Sequence, residues 1–160
     1  MNMPHLHMML VHLPIVGVPV GAFLLGFGLW LNKVDLKKAG LITIFAFALF
    51  GVGAYLTGGE AEETVEKLSG VVKHDIHEHE ESAEVTFVTL DVVGILALIG
   101  LFLQNRNESL ARKVLPLTCV GAVVVSWMLA WTANLGGAIR HPEIKAIAEQ
   151  GGQAEDNDDD

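Results

Sequence analysis

Four long apolar runs alternate with short polar segments along the chain, at about 9–31, 39–56, 83–103 and 114–135. Each is long enough to cross a hydrocarbon layer of about 30 Å at about 1.5 Å per helical residue. The third is the most interrupted, because Glu84 and Asp91 fall inside it. The pattern predicts an all-α fold: a transmembrane four-helix bundle forming a single domain over 1–150, with an acidic, disordered tail at 151–160. Between runs two and three, Gly58-Gly59 is expected to break the helix. Ala61, Val65, Leu68 and Val72 then recur at helical spacing, which predicts a short amphipathic helix lying on the interface, ended by Gly70. After the fourth run, Pro142 opens a second short helix over 143–149. Pro14 and Pro19 predict a kinked or loosened entry to the first span.

Composition agrees with a membrane chain. Of 160 residues, 51% are hydrophobic, and mean hydropathy is positive at +0.45. Glycines mark low-relief points on three of the runs, as where helix backbones approach closely. The single Cys119 lies within an apolar run, which excludes a disulfide framework. No basic patch with interleaved aromatics is present, so nucleic acid is excluded as a partner. Lipid is the expected environment.

Charge is uneven rather than simply acidic. The net charge of -9 owes much to the tail and to 60–84, where nine carboxylates face Lys67 and Lys73. Lys33, Lys37 and Lys38 follow run one, and Arg106, Arg112 and Lys113 follow run three, with Asp35 and Glu108 as their only acids. No Lys or Arg precedes run one, which therefore reads as a span and not a cleaved leader. Positive-inside bias then puts the two basic turns in the cytoplasm and both termini outside it. In that topology all seven histidines gather at the outer end.

Three of them, His74, His77 and His79, lie in the stretch KHDIHEHEESAEVTFVTLD at 73–91. As a helix, this segment places His74, His77, Glu81, Glu84, Val88 and Asp91 on one stripe, with His79 and Glu80 off it. The stripe is expected to mark where the bundle opens onto water, and Asp91 to be a proton relay or an interfacial residue. For a haem b site at the outer end, the candidate ligands are His12, His79 and His141, with Arg140 near the propionates. For a non-haem transition metal ion, the candidates are His7, His12, Glu60, His77, His79, Glu80 and His141. Neither His-Glu-x-x-His nor Cys-x-x-Cys-His occurs, so zincin and c-type haem chemistry are excluded. No nucleophile–base pair or phosphate loop appears, so an electron-transfer or binding subunit is expected rather than a stand-alone enzyme. Quinone, other redox membrane subunits or a second copy would be its partners. Metal handling and a purely structural role are the alternatives.

The run His7-Met8-Met9-Leu10-Val11-His12-Leu13-Pro14-Ile15 resembles the opening signature of an uncharacterised bacterial family of four-helix integral membrane proteins, a domain of unknown function. Leu13 stands where that pattern has phenylalanine, and Met8 where it has proline. Asn134-Leu135-Gly136-Gly137, Thr57-Gly58-Gly59-Glu60 and His79-Glu80-Glu81-Ser82-Ala83 are similar to further pieces of it. The resemblance implies a multi-pass protein of the bacterial cytoplasmic membrane. It singles out His7, His12, Glu60, His79, Glu80 and Arg140-His141, and it implies no particular activity.

Overall fold

The computed structural model describes residues 2–68, 71–139 and 141. Within them the chain forms four helices: α1 Met3–Trp30, α2 Val34–Val65, α3 Lys73–Leu103 and α4 Glu108–Ala138. All four are long and apolar enough to cross a membrane. They pack as a ring in chain order, α1 on α2, α2 on α3, α3 on α4, with α4 closing on α1. This is a four-helix bundle of a multi-pass membrane protein.

The helices have 28, 32, 31 and 31 residues, or roughly 42–48 Å at ~1.5 Å per residue. That exceeds an apolar layer of about 30 Å by several turns. The surplus lies mostly where α1 and α3 begin and α2 and α4 end, since the apolar runs sit towards the opposite turns. We call this end the histidine rim.

Local chemistry sets the opposite, tight ends. Asn32 holds a left-handed conformation (φ 52°), and the Lys33 N–H returns to the Gly28 carbonyl, closing α1 in a Schellman-type turn. Lys37 donates to the Asn32 side chain at 2.7 Å. Asn107 caps α4 by accepting the Leu110 N–H at 3.1 Å. At the rim, Asn2 caps α1 by accepting the His5 N–H at 3.2 Å, and Pro4 sits in the first turn, where its missing N–H is harmless. α1 therefore starts a turn and a half before the apolar run.

Inside the ring, Val18, Leu25, Leu41, Ile44, Leu90 and Val125 are fully buried, with Ala22, Ala48, Ala97 and Ala122 between them. The outward residues are large and apolar, among them Phe23, Trp30, Leu56, Val123 and Trp127. Alanines interleaved with the buried aliphatics, and large apolar residues facing outward, suit helices whose outer solvent is lipid. Tyr55 of α2 and Phe87 of α3 stack at 4.2 Å, tying those helices near the rim. The α1/α2 seam is closest. A Cβ added at Gly40 would lie 2.4 Å from the Leu25 backbone nitrogen, and one at Gly28 would lie 2.6 Å from that of Lys37.

The expected break at Gly58-Gly59 does not occur. α2 runs through both glycines to Val65, so Ala61 and Val65 of the foreseen interfacial helix belong to its last turns, while Leu68 and Val72 lie beyond it and Gly70 is outside the described residues. Two helical glycines cost roughly 1 kcal/mol each relative to alanine. Ala61 is buried one turn on, and Thr64 ties back to the Glu60 carbonyl at 2.9 Å. The helix foreseen over 143–149 and the tail at 151–160 lie outside the described residues.

Candidate functional site

The rim end of the bundle interior holds two imidazoles, from α1 and α3. His79 is on α3, and its Nδ1–H donates to the Thr132 carbonyl of α4 at 3.0 Å. His7 is on α1, and its Nδ1–H donates to the Ala54 carbonyl of α2 at 2.9 Å, with the Thr57 hydroxyl 3.3 Å away. Both side chains are part-buried, and the two rings are near enough for the charge on one to act on the other.

The acceptors are not spare groups. Each carbonyl lies within a helix and already receives the N–H four residues on; at Thr132 the imidazole takes the second lone pair, and at Ala54 it shares the oxygen with the Thr57 hydroxyl, which donates at 3.0 Å. In a helix the Cβ leans towards the N-terminus, so the side chain at position i+4 shields the carbonyl of residue i. Four residues after Thr132 comes Gly136, and four after Ala54 comes Gly58. A glycine in that place bares the carbonyl. At Gly136 the His79 ring fills the space, since an added Cβ would lie 2.9 Å from its Cε1. At Gly58 the fit is looser, with 3.7 Å to the His7 Cε1.

A hydroxyl cluster supports His79 alone. The Thr132 hydroxyl is bonded to the Ser82 hydroxyl at 2.7 Å and to that of Thr86 at 2.9 Å. Thr86 and Thr132 are buried, so three hydroxyls satisfy one another across the α3/α4 seam. The same seam carries a cleft of about 220 Å³ lined by Ser82, Thr86, Trp127 and Trp131. The two tryptophans stack at 6.2 Å on its outer wall and are largely exposed, as at a lipid interface.

With Nδ1–H committed to a carbonyl, a neutral imidazole presents Nε2 as a bare lone pair, which is how histidine binds a metal centre. Both rings also have their planes set by the carbonyls they bond and by the helix beside them. The arrangement can therefore offer two oriented nitrogen ligands from opposite sides of the bundle.

The other sequence candidates are placed elsewhere. His12 is exposed and turns its Nδ1–H back to the Met8 carbonyl of its own helix. His77 is exposed and lies beside Glu80 and Glu81 of its own helix, at 3.7 and 3.2 Å; Glu60 and Glu80 are exposed as well. His141 is exposed just past α4, its N–H bonded to the Gly137 carbonyl. Arg140 lies outside the described residues. The stripe of His74, His77 and Glu81 faces water, and the line pointing inward is His79, Ser82, Thr86, Leu90. Among the described residues no group of three or more His, Cys, Asp or Glu side chains is placed to hold a metal ion. Among the described residues the metal set is thus not assembled: His79 turns inward, away from exposed His77 and Glu80, and His12 is exposed on α1.

Of the pair that does face inward, the sequence reading marked both residues. Both belong to the candidate metal set, the haem set has His79 without His7, and the carbonyls that orient them carry no sequence signature of their own. The available signal was a glycine at matching places near the ends of α2 and α4. No protein-family model, curated protein or solved structure matches the chain.

Proposed function

We propose that the protein is a small membrane electron-transfer subunit that binds haem b at the histidine rim, with both termini on the outer side of a bacterial cytoplasmic membrane. The observation that carries this reading is the state of His79. Its imidazole is inside the bundle, its Nδ1–H is held by the Thr132 carbonyl, and Nε2 is left as the ligand atom. The donor set fits haem iron, which takes neutral imidazole on its axis. Bound there, a haem would supply one-electron transfer.

The chain's own part is to fix the ligand and keep its proton. Thr132 supplies the carbonyl that receives Nδ1–H, its hydroxyl joins Ser82 and Thr86 across the seam, and Gly136 leaves room for the ring. The basic turns at 31–38 and 104–113 support the orientation. Exposed Trp127 and Trp131 would sit at the outer lipid boundary. A site there would be close to an external redox partner, with quinone reaching it from the lipid side.

The test is the dithionite-reduced minus oxidised spectrum of protein purified from haem-replete cells. An α band with a stoichiometric Soret band is expected, and His79→Ala should lose the sharp low-spin α band. A spectrum without either band in the unaltered protein rejects the reading.

A further inference from the structure

The two rim histidines belong to an internal repeat. Sliding α1 along the sequence until His7 falls on His79 also puts His5 on His77. In the same register Pro14 meets Thr86, Val18 meets Leu90, Gly21 meets Val93, Leu25 meets Ala97 and Gly28 meets Gly100. Every residue in those last five pairs is buried. Identity is low, but the inward-facing positions coincide over the length of both helices. The second helices agree at fewer positions. Setting Ala54 on Thr132 puts Gly58 on Gly136, Ile44 on Ala122 and Gly51 on Leu129, and all but the two rim glycines are buried.

The bundle is therefore two copies of one helical hairpin, α1–α2 and α3–α4, running in the same sense. Such repeats are related by a two-fold axis along the bundle, which for a membrane protein is the membrane normal. Each copy makes the same device: a histidine on its first helix, a backbone carbonyl on its second, and a glycine four residues later that uncovers it. A residue repeated by a two-fold axis, close to that axis, meets its own counterpart.

We infer that His7 and His79 are the two halves of a single bis-imidazole site on this axis, which takes the iron of a planar macrocycle between their Nε2 atoms. The inference rests on the haem reading above and names its ligands. It replaces His12 and His141, which lie outside the bundle's interior. It also accounts for what single-residue reasoning leaves unexplained, namely why α2 continues helical through Gly58-Gly59. A broken helix there would withdraw the carbonyl that holds His7.

Two measurements decide it. In the first, the purified protein is expected to show a six-coordinate, low-spin haem. His7→Ala and His79→Ala should each convert it to a five-coordinate, high-spin form, restored by added imidazole, while His12→Ala and His141→Ala leave it low-spin. A His7→Ala protein that stays low-spin overturns the pairing and leaves the haem reading standing; an unaltered protein with no haem overturns both. The second needs no haem. With Cys119→Ser as background, His7→Cys combined with His79→Cys should be joined by a short bismaleimide within one chain. His7→Cys combined with His77→Cys should not be. Absence of the first cross-link, or equal yields from both pairs, overturns the pairing whatever the alanine variants do.

Discussion

The α1/α2 and α3/α4 hairpins build the same half-site in different ways. In α1/α2 the helices meet backbone to backbone, through Gly21, Gly28 and Gly40, and the rim histidine has only an alanine carbonyl and a threonine hydroxyl beside it. In α3/α4 the equivalent of Gly40 is Thr118, and the equivalent of Ala54 is Thr132, whose hydroxyl joins Ser82 and Thr86. One hairpin is held by shape near the tight turn, the other by hydrogen bonds near the rim. Lipid offers helices little hydrophobic reason to associate, so these are the two available means. The lesson is that a repeat can conserve the geometry of a site while exchanging the forces that hold it.

The sharpest way to break the comparison is at the closest seam. Gly40→Val should destabilise the protein by about 3 kcal/mol or more, because the new side chain meets the Leu25 backbone and neither helix can yield. Thr118→Val, its counterpart, should cost much less, since the Thr118 hydroxyl donates to the Val114 carbonyl of its own helix and not across the seam among the described residues. Thermal unfolding in detergent would rank the two.

Next come the rim glycines, for which opposite signs are expected. Gly136→Ala should cost about 1–3 kcal/mol by overpacking the His79 ring, and it should perturb any spectrum that depends on that ring. Gly58→Ala should be neutral or stabilise by up to about 1 kcal/mol, since the His7 ring is at ordinary contact distance and alanine is the better helix former. Equal effects at both positions would remove the claimed difference in fit.

Thr132→Ala converts the second half-site towards the first. Two hydroxyl bonds are lost, worth about 0.6 kcal/mol each inside membrane bundles, while the carbonyl holding His79 remains. A drop of about 1 kcal/mol with His79 still in place is expected. A drop of several kcal/mol would mean that the hydroxyls set the backbone itself.

The smallest effect is expected at the connection between the hairpins, where Lys73 pairs with Glu66. The Lys73 ammonium holds the Glu66 carboxyl below its ordinary pKa, so any stabilisation from Glu66 is present near neutrality and disappears as acid protonates it. Both groups face water, and exposed pairs contribute little. Glu66→Gln should therefore lower the melting temperature at pH 7 only slightly, by no more than it flattens the acid limb of the stability profile.

Most of the architecture was legible because long apolar runs have few possible structures in a bilayer: the four spans and their up-and-down order follow from hydropathy. The helix ends were less so. Asn32, Asn107 and Asn2 act through capping geometry that hydropathy does not register. Gly58-Gly59 misled because propensity weighs a residue alone, and there the histidine bond and the burial of Ala61 outweigh it. The site was half legible. Histidines at one end could be counted, but His79 and His77 differ by only two positions, and which one turned inward depended on the rotation of α3 about its axis. A periodic stripe of His and Glu drew attention to the face that water was always going to take.

The Glu66–Lys73 connection bears on how the polypeptide could be divided. Since each hairpin crosses and returns by itself, and the ion pair described at the passage between them is exposed, the molecule should tolerate being made as two separately translated pieces. Residues 1–68 and 71–160, produced together, would then find each other in the lipid and co-purify as a one-to-one heterodimer.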